Sequence, residues 1–325
     1  MEMRGRLEQA NDNAAGFWLT QARAHGWESL RRPGFTAVRC ARDHADAHRL
    51  VVTRPYSEPR WLEEELAGLL RDWGTTQLCL EDPYGGLDLS RFGCVRGLGM
   101  AVMTREPVGP PARGAAIGTG SPGGTGGTAG LSGRPRYGER LTICEAVDGA
   151  GLAAVERTVV EGFPIPARRP WVRGAMLPVD LLSAGLLPAD LLARHGEGGS
   201  GKGAADGAVE GAVDVAVEGA VDGAGETAGA PGIRAWLARV DGQAAGGCLT
   251  YDDGETVGLY WVSTLAGYRS RGVARGVLEA ALGGHPGRPA TLVSTLLGEP
   301  LYRKLGFVER GVTCWWGYPV APGAR

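Results

Sequence analysis

The chain has 325 residues, of which 43% are hydrophobic and 22% charged, so a wholly disordered chain is excluded. Its net charge of −2 gives no support to general nucleic-acid binding. The chain contains no run of 18 apolar residues, so no membrane span is expected. Glycine is unusually abundant at 55 residues, and 22 of these fall in two windows, 108–135 and 196–232. Setting the windows aside leaves about 260 residues, enough for two compact cores. Residues 196–231 carry seven acids and one lysine, a net −6, so the rest of the chain is −2 − (−6) = +4. The six cysteines lie at no CxxC spacing and without a histidine cluster, which reads as reduced structural thiols and no metal site. Met1–Asn13 is polar with no apolar signal core, and a cytoplasmic protein is expected.

Residues 14–106 read as an alternating α/β unit. A helix is expected from Ala14 to about Trp27 with Asn13 as its cap, then strands at Phe35–Cys40 and Arg49–Thr53. After Ser57, Leu62, Leu66, Leu69, Leu70 and Trp73 fall on one helical face. Gln77–Glu81 and Gly99–Met103 read as strands. Residues 108–136, rich in Gly, Pro, Thr and Ser, read as a flexible linker.

A second unit opens with a strand, Leu141–Glu145, and a helix, about Gly151–Glu161. It is interrupted by an acidic tract, 196–232, in which Asp206, Glu210, Asp214, Glu218, Asp222 and Glu226 recur every four residues. Glycines and like charges at i,i+4 oppose a helix there, so a disordered insert is expected. Arg234–Val240 and Ala245–Tyr251 read as strands joined at Asp241-Gly242. Asp253-Gly254 turns into a third strand, Thr256–Thr264. A helix (Arg271–Leu282), a strand (Thr291–Leu296), a short helix (Glu299–Leu305) and two closing strands, near Phe307–Val312 and Cys314–Tyr318, complete the unit.

The stretch Val262-Ser263-Thr264-Leu265-Ala266-Gly267-Tyr268-Arg269-Ser270-Arg271-Gly272-Val273-Ala274-Arg275 runs an apolar strand into a basic, glycine-containing turn that opens a helix. Unpaired amides and the helix dipole make such a turn a site for phosphate or pyrophosphate. It is neither a P-loop nor GxGxxG, and an ordinary strand–turn–helix with solvated arginines fits this stretch taken by itself. About twenty residues on stands Thr295-Leu296-Leu297-Gly298-Glu299-Pro300-Leu301-Tyr302-Arg303-Lys304-Leu305-Gly306-Phe307.

Together these segments resemble the GNAT acetyltransferase superfamily. Its phosphate-binding pattern [QR]-x-x-G-x-[GA] is matched by Arg269-Ser-Arg-Gly272-Val-Ala274, and its LYxxxGF segment by Leu301-Tyr302-Arg-Lys-Leu-Gly306-Phe307. The resemblance is sharpest over 234–318 and extends back toward 141. It implies a mixed α/β (α+β) sheet and an acetyl-CoA co-substrate without a metal. The strand end Val262, Ser263, Thr264 would splay from its neighbour and pair with the pantetheine arm. The amides of Arg269, Ser270, Arg271, Gly272, Val273 and Ala274 would hold the pyrophosphate. Tyr302 would protonate the leaving thiolate, and Thr295 would contact CoA. The implied reaction is direct attack by a primary amine of a small molecule or peptide.

The strand before the turn, Gly258-Leu259-Tyr260-Trp261, has no carboxylate to serve as base. Asp252, Asp253 and Glu255 at its start read as turn acids, and Trp261, Trp315 and Trp316 could line an acceptor pocket. Leu50–Leu70 can be laid against Tyr260–Leu282, and Asp88–Gly97 echoes Lys304–Gly311. The expectation is therefore a degenerate GNAT-like domain at 1–107 and a catalytic one at 137–325. Where the second has Arg-Ser-Arg-Gly-Val-Ala, the first has Pro55-Tyr56-Ser57-Glu58-Pro59-Arg60 and should not bind CoA. A non-catalytic acyl-CoA sensor and a transferase of larger acyl groups stay open as alternatives.

Overall fold

The computed structural model describes residues 4–40, 48–74, 78–107, 140–163, 168–182 and 231–318. The expected linker, and the acidic insert up to residue 230, lie outside the described residues. In chain order the first half contains α1 (Arg6–His25), β1 (Glu28–Arg32), β2 (Phe35–Arg39), β3 (His48–Val52), α2 (Pro59–Trp73), β4 (Leu78–Asp82) and β5 (Val95–Arg105). The second contains β6 (Leu141–Ala146), α3 (Gly149–Gly162), β7 (Gly232–Val240), β8 (Gln243–Asp252), β9 (Val257–Thr264), α4 (Val273–Gly283), β10 (Ala290–Ser294), α5 (Glu299–Lys304) and β11 (Val308–Gly317).

All eleven strands form one mixed sheet in the order β1-β2-β3-β4-β11-β5-β10-β9-β8-β7-β6. The order is nearly palindromic about the central β11–β5 pair. Each half places its parallel pair, β3/β4 or β9/β10, beside the last strand of the other half. The halves are thus interlocked by exchanged strands. Two closing strands were expected at 307–318, whereas a single β11 runs through. Its flanking partners β4 and β5 keep it extended, and irregularities at Glu309/Gly311 and Cys314/Trp316 take up the register changes.

α1 and α3 cover one face of the sheet, and α2 and α4 the other. The Leu62–Leu66–Leu70–Trp73 stripe of α2 packs on Phe35, Leu50 and Leu80, and Leu69 is only partly buried beside it. α4 packs Val273, Val277, Leu278 and Ala281 on Ala245, Cys248 and Leu259. α1 is the most central element. Phe17 and Trp18 share a core with Val38 and Val51 of the first half and with Leu249, Tyr251, Tyr260 and Trp261 of the second.

α1 begins eight residues before the expected start. Glu8 accepts the Gly5 amide at 3.3 Å, and Gly26 (φ 65°) closes the helix. Asn13 is not a cap but a fully buried mid-helix residue. β1 was not expected because its sequence, Glu-Ser-Leu-Arg-Arg, is that of a polar edge strand without apolar alternation.

Candidate functional site

β9 and β10 pair in parallel only at Val257–Ala290 and Gly258–Thr291. Beyond that point the facing edges of Leu259–Thr264 and Leu292–Ser294 have no pairing to each other. The cause lies in β9. Between Gly247–Ser263 and Leu249–Tyr260 two residues of β9 oppose one of β8, and Trp261 adopts φ 51°. Such a bulge bends its strand and increases the twist. The first half has the same β–turn–α–β layout without the opening: β3 and β4 pair through four positions, His48–Leu78 to Val51–Glu81.

At the open end of β9, the hydroxyl of Thr264 is buried without a hydrogen-bond partner among the described residues. The chain then turns through Ser270 (φ 61°) to Gly272 (φ 82°), and α4 begins at Val273. The helix therefore starts two residues later than expected, because Gly272 is left-handed. The first bond into α4 runs from the Gly276 amide to Gly272 O at 2.9 Å. The amides of Val273, Ala274 and Arg275 precede that bond and have no intrahelical acceptor. Arg269 is turned back along the end of α3, donating to Gly162 O at 3.2 Å and Thr264 O at 3.4 Å. Arg271 lies over the Tyr268 ring at 5.6 Å, and Arg275 pairs with Glu279 at 2.8 Å. The three arginine side chains are thus each engaged by neighbouring groups.

Tyr302 of α5 is 9% exposed and lies in the core beneath α4, edge-on to Phe307 at 6.0 Å. Gly298 makes room for its ring, since a Cβ there would meet Tyr302 at 2.8 Å. Burial, and then the buried thiol of Cys248, push its pKa up to about 12. Thr295 is exposed, and its hydroxyl accepts the Gly298 amide at 3.2 Å, so its side chain caps the turn into α5.

The three turn acids are structural. Asp253 accepts the amides of Glu255 and Thr256 at 2.9 and 2.7 Å, and Glu255 pairs with Arg4. Asp252 is buried, accepting from Gly254 N at 2.8 Å, Arg288 Nε at 3.3 Å and His285 Nδ1 at 3.4 Å. At about 3.3 Å per residue they stand some 25 Å along β9 from Thr264. Burial raises the pKa of Asp252, but His285, the Gly254 amide and the Arg288 charge outweigh it, leaving the pKa below the ordinary value. A depressed folded-state pKa stabilises the fold above the unfolded value, and that stabilisation is lost as pH falls through the folded one. Asp252→Asn is expected to cost about 2 kcal/mol at pH 7 and to flatten the acid side of the stability profile, measured by thermal denaturation across pH.

Sequence reasoning missed Glu81. It is buried on β4 and directly opposite Trp315 of β11, so the two share a face of the sheet. Burial raises its carboxyl pKa, against the Arg49 charge and a hydrogen bond from Trp18. Trp18 in turn packs edge-on to Trp261 at 5.9 Å. The indole nitrogen of Trp315 is buried without a partner among the described residues. Trp316, the third expected pocket tryptophan, faces the other way into the α2 core, because consecutive strand residues alternate.

In the first half the segment equivalent to the α4 turn borders a cavity of about 880 Å³. Arg54 there is held by Asp12 at 2.6 and 3.0 Å. Glu58 stands at the helix cap, and Pro55 and Pro59 offer no amide.

Residues 231–309 match the family model described as an acetyltransferase (GNAT) domain. A GCN5-related N-acetyltransferase from Kribbella flavida is 14% identical with a TM-score of 0.53, covering 97% of this chain and 97% of its own. A GCN5-related N-acetyltransferase from Sphaerobacter thermophilus is 15% identical with a TM-score of 0.51, covering 98% and 96%. At such identities the likeness is one of fold, and it spans both halves. A search of curated proteins finds no match. Among the described residues, no helix is long and apolar enough to cross a membrane.

Proposed function

We propose, from the premise that this chain carries a GNAT-type acyltransferase domain at residues 231–309, that it moves an acetyl group from acetyl-CoA to a primary amine. The observation that carries this reading is the opening between β9 and β10, which ends at the amide cradle before α4. The free edge of Val262–Thr264 would pair with the pantetheine amides, and the buried Thr264 hydroxyl is a further polar group available there. The amides of 269–274 would bind the pyrophosphate; their charge complement is the helix dipole. The chain divides in this reading into two diverged GNAT-like halves, 1–107 and 137–325, with one donor site. The first half is paired shut between β3 and β4 and has two prolines without amides in its turn, so in this reading it binds no CoA. Six free cysteines suit a reducing cytoplasm.

Burial raises the Tyr302 phenol to about 12, so it stays protonated and can donate a hydrogen bond to the sulfur while charge develops there. The amine attacks the thioester carbonyl, the carbon–sulfur bond breaks, and the amine's proton is given up. No carboxylate lies along Leu259–Thr264, so the amine passes its proton to water in the cleft.

Incubation with acetyl-CoA and a panel of primary amines, followed by thiol release and mass analysis of the amines, tests the reaction. Stoichiometric thiol and acetylated amine are expected. CoA bound with no thiol released on any amine would favour the sensor reading. Competition by longer acyl-CoAs distinguishes a larger acyl donor.

A further inference from the structure

We infer that α1, an element of the first half, is the positioning element that holds the β9 bulge open in the donor cleft of the second half. The inference rests on the acyl-donor reading of that cleft.

The bulge sends two consecutive rings, Tyr260 and Trp261, to the same face of the sheet, and both land on α1. Phe17 stacks on Tyr260 with centroids 3.8 Å apart and planes 2° from parallel. Phe17 also meets Trp261 edge-on at 5.2 Å, and Trp18 meets it at 5.9 Å. A tryptophan at φ 51° is disfavoured by its own backbone, so surrounding contacts must hold it there. The ring contacts on Trp261 come from α1, while α3 packs on the end of the same strand at Ser263 and Thr264.

A polar peg fixes the helix in register. Asn13 donates to Tyr251 O and Thr256 O, each at 3.2 Å, and to Asp253 at 3.0 Å, and accepts the Tyr260 hydroxyl at 2.7 Å. Its bonds reach β8, the turn and β9, tying the whole hairpin to α1. Two glycines admit the contact. A Cβ on Gly258 would lie 2.1 Å from Asn13 Oδ1, and one on Gly16 would lie 2.8 Å from the Tyr251 ring. An asparagine wholly buried in one half and bonded to a hairpin of the other is a specific docking device.

The consequence is selective. Loss of the α1 contacts would let β9 relax toward β10 and disturb only the strand edge that meets pantetheine. α4, whose first turn would meet the phosphates, is packed from the other face of the sheet, and the turn before it is tied by Arg269 to α3 rather than to α1.

The test compares two ligands by calorimetry. CoA needs the strand edge and the turn, whereas adenosine 3′-phosphate 5′-diphosphate, which lacks pantetheine, needs the turn alone. In Phe17→Leu, CoA affinity is expected to fall at least tenfold while the nucleotide's stays within twofold. Tyr260→Phe keeps the ring stack and loses only the bond to Asn13, so it should show a smaller loss in the same direction if Phe17→Leu fails to fold. Equal losses for both ligands, or no loss for either, would overturn the inference and leave the donor site standing. A wild-type protein that binds neither ligand would overturn the donor reading itself, and the inference with it.

Discussion

Replacing Tyr302 with phenylalanine is expected to lower turnover about 10²- to 10³-fold while acetyl-CoA affinity changes less than twofold. The substitution removes one oxygen from a ring seated against Phe307 and Gly298, and the ring itself keeps its packing. The hydroxyl forms no hydrogen bond within the described residues, so its removal leaves no stranded partner. A donor that meets the sulfur only as charge develops contributes to the transition state and little to the ground state. Stopped-flow or steady-state thiol release, paired with calorimetry, separates the two effects. Turnover unchanged from wild type would remove Tyr302 from the mechanism. Equal loss of binding and turnover would make it a packing residue.

The second large effect concerns Gly272→Val, which should weaken acetyl-CoA binding by at least 10²-fold. Two costs combine here. Gly272 sits at φ 82°, a region closed to β-branched side chains. Any side chain there also stands where a phosphate would approach the amides at the start of α4. The residue is exposed, so the valine meets no core and the fold should survive, with a modest drop in melting temperature. Calorimetry beside thermal denaturation checks both parts. Binding equal to wild type in a folded variant would move the phosphate site away from this turn.

Where local chemistry decides the structure, the sequence was informative. The Asp241-Gly242 and Asp253-Gly254 turns place β7, β8 and β9, and the leucine stripe places α2. A basic turn with glycine marked the start of α4, and Gly298 to Phe307 marked α5. The features that were not legible depend on partners far along the chain. The exchange of β5 and β11 joins residues such as Arg96 and Cys314, whose contact at 2.6 Å spans 218 positions. Neither strand carries a signal of which half it will enter. Ala14 is the expected start of α1 because Asn13 looks like a capping residue, and its burial makes sense only against the β8–β9 hairpin. Glu81 was hidden for a similar reason. On β4 it looks like the polar end of a strand, and its burial depends on Trp18 of α1 and on Arg49.

The bulge illustrates the same limit. Gly258-Leu259-Tyr260-Trp261 reads as an ordinary apolar strand, and its missing carboxylate stands out in the sequence. What the structure adds is that two rings on one face require a partner there, and that α1 is that partner. The first half has a regular β3 with no such pair of rings and stays paired to β4. One local irregularity therefore separates an open half from a closed one.

The central claim is that the opening between β9 and β10, together with the turn before α4, holds acetyl-CoA. Titration of acetyl-CoA into the full chain by calorimetry tests it most directly. Saturation at one site per chain is the predicted result, with the closed first half contributing nothing. Two equivalent sites, or no saturable binding at millimolar ligand, would contradict it.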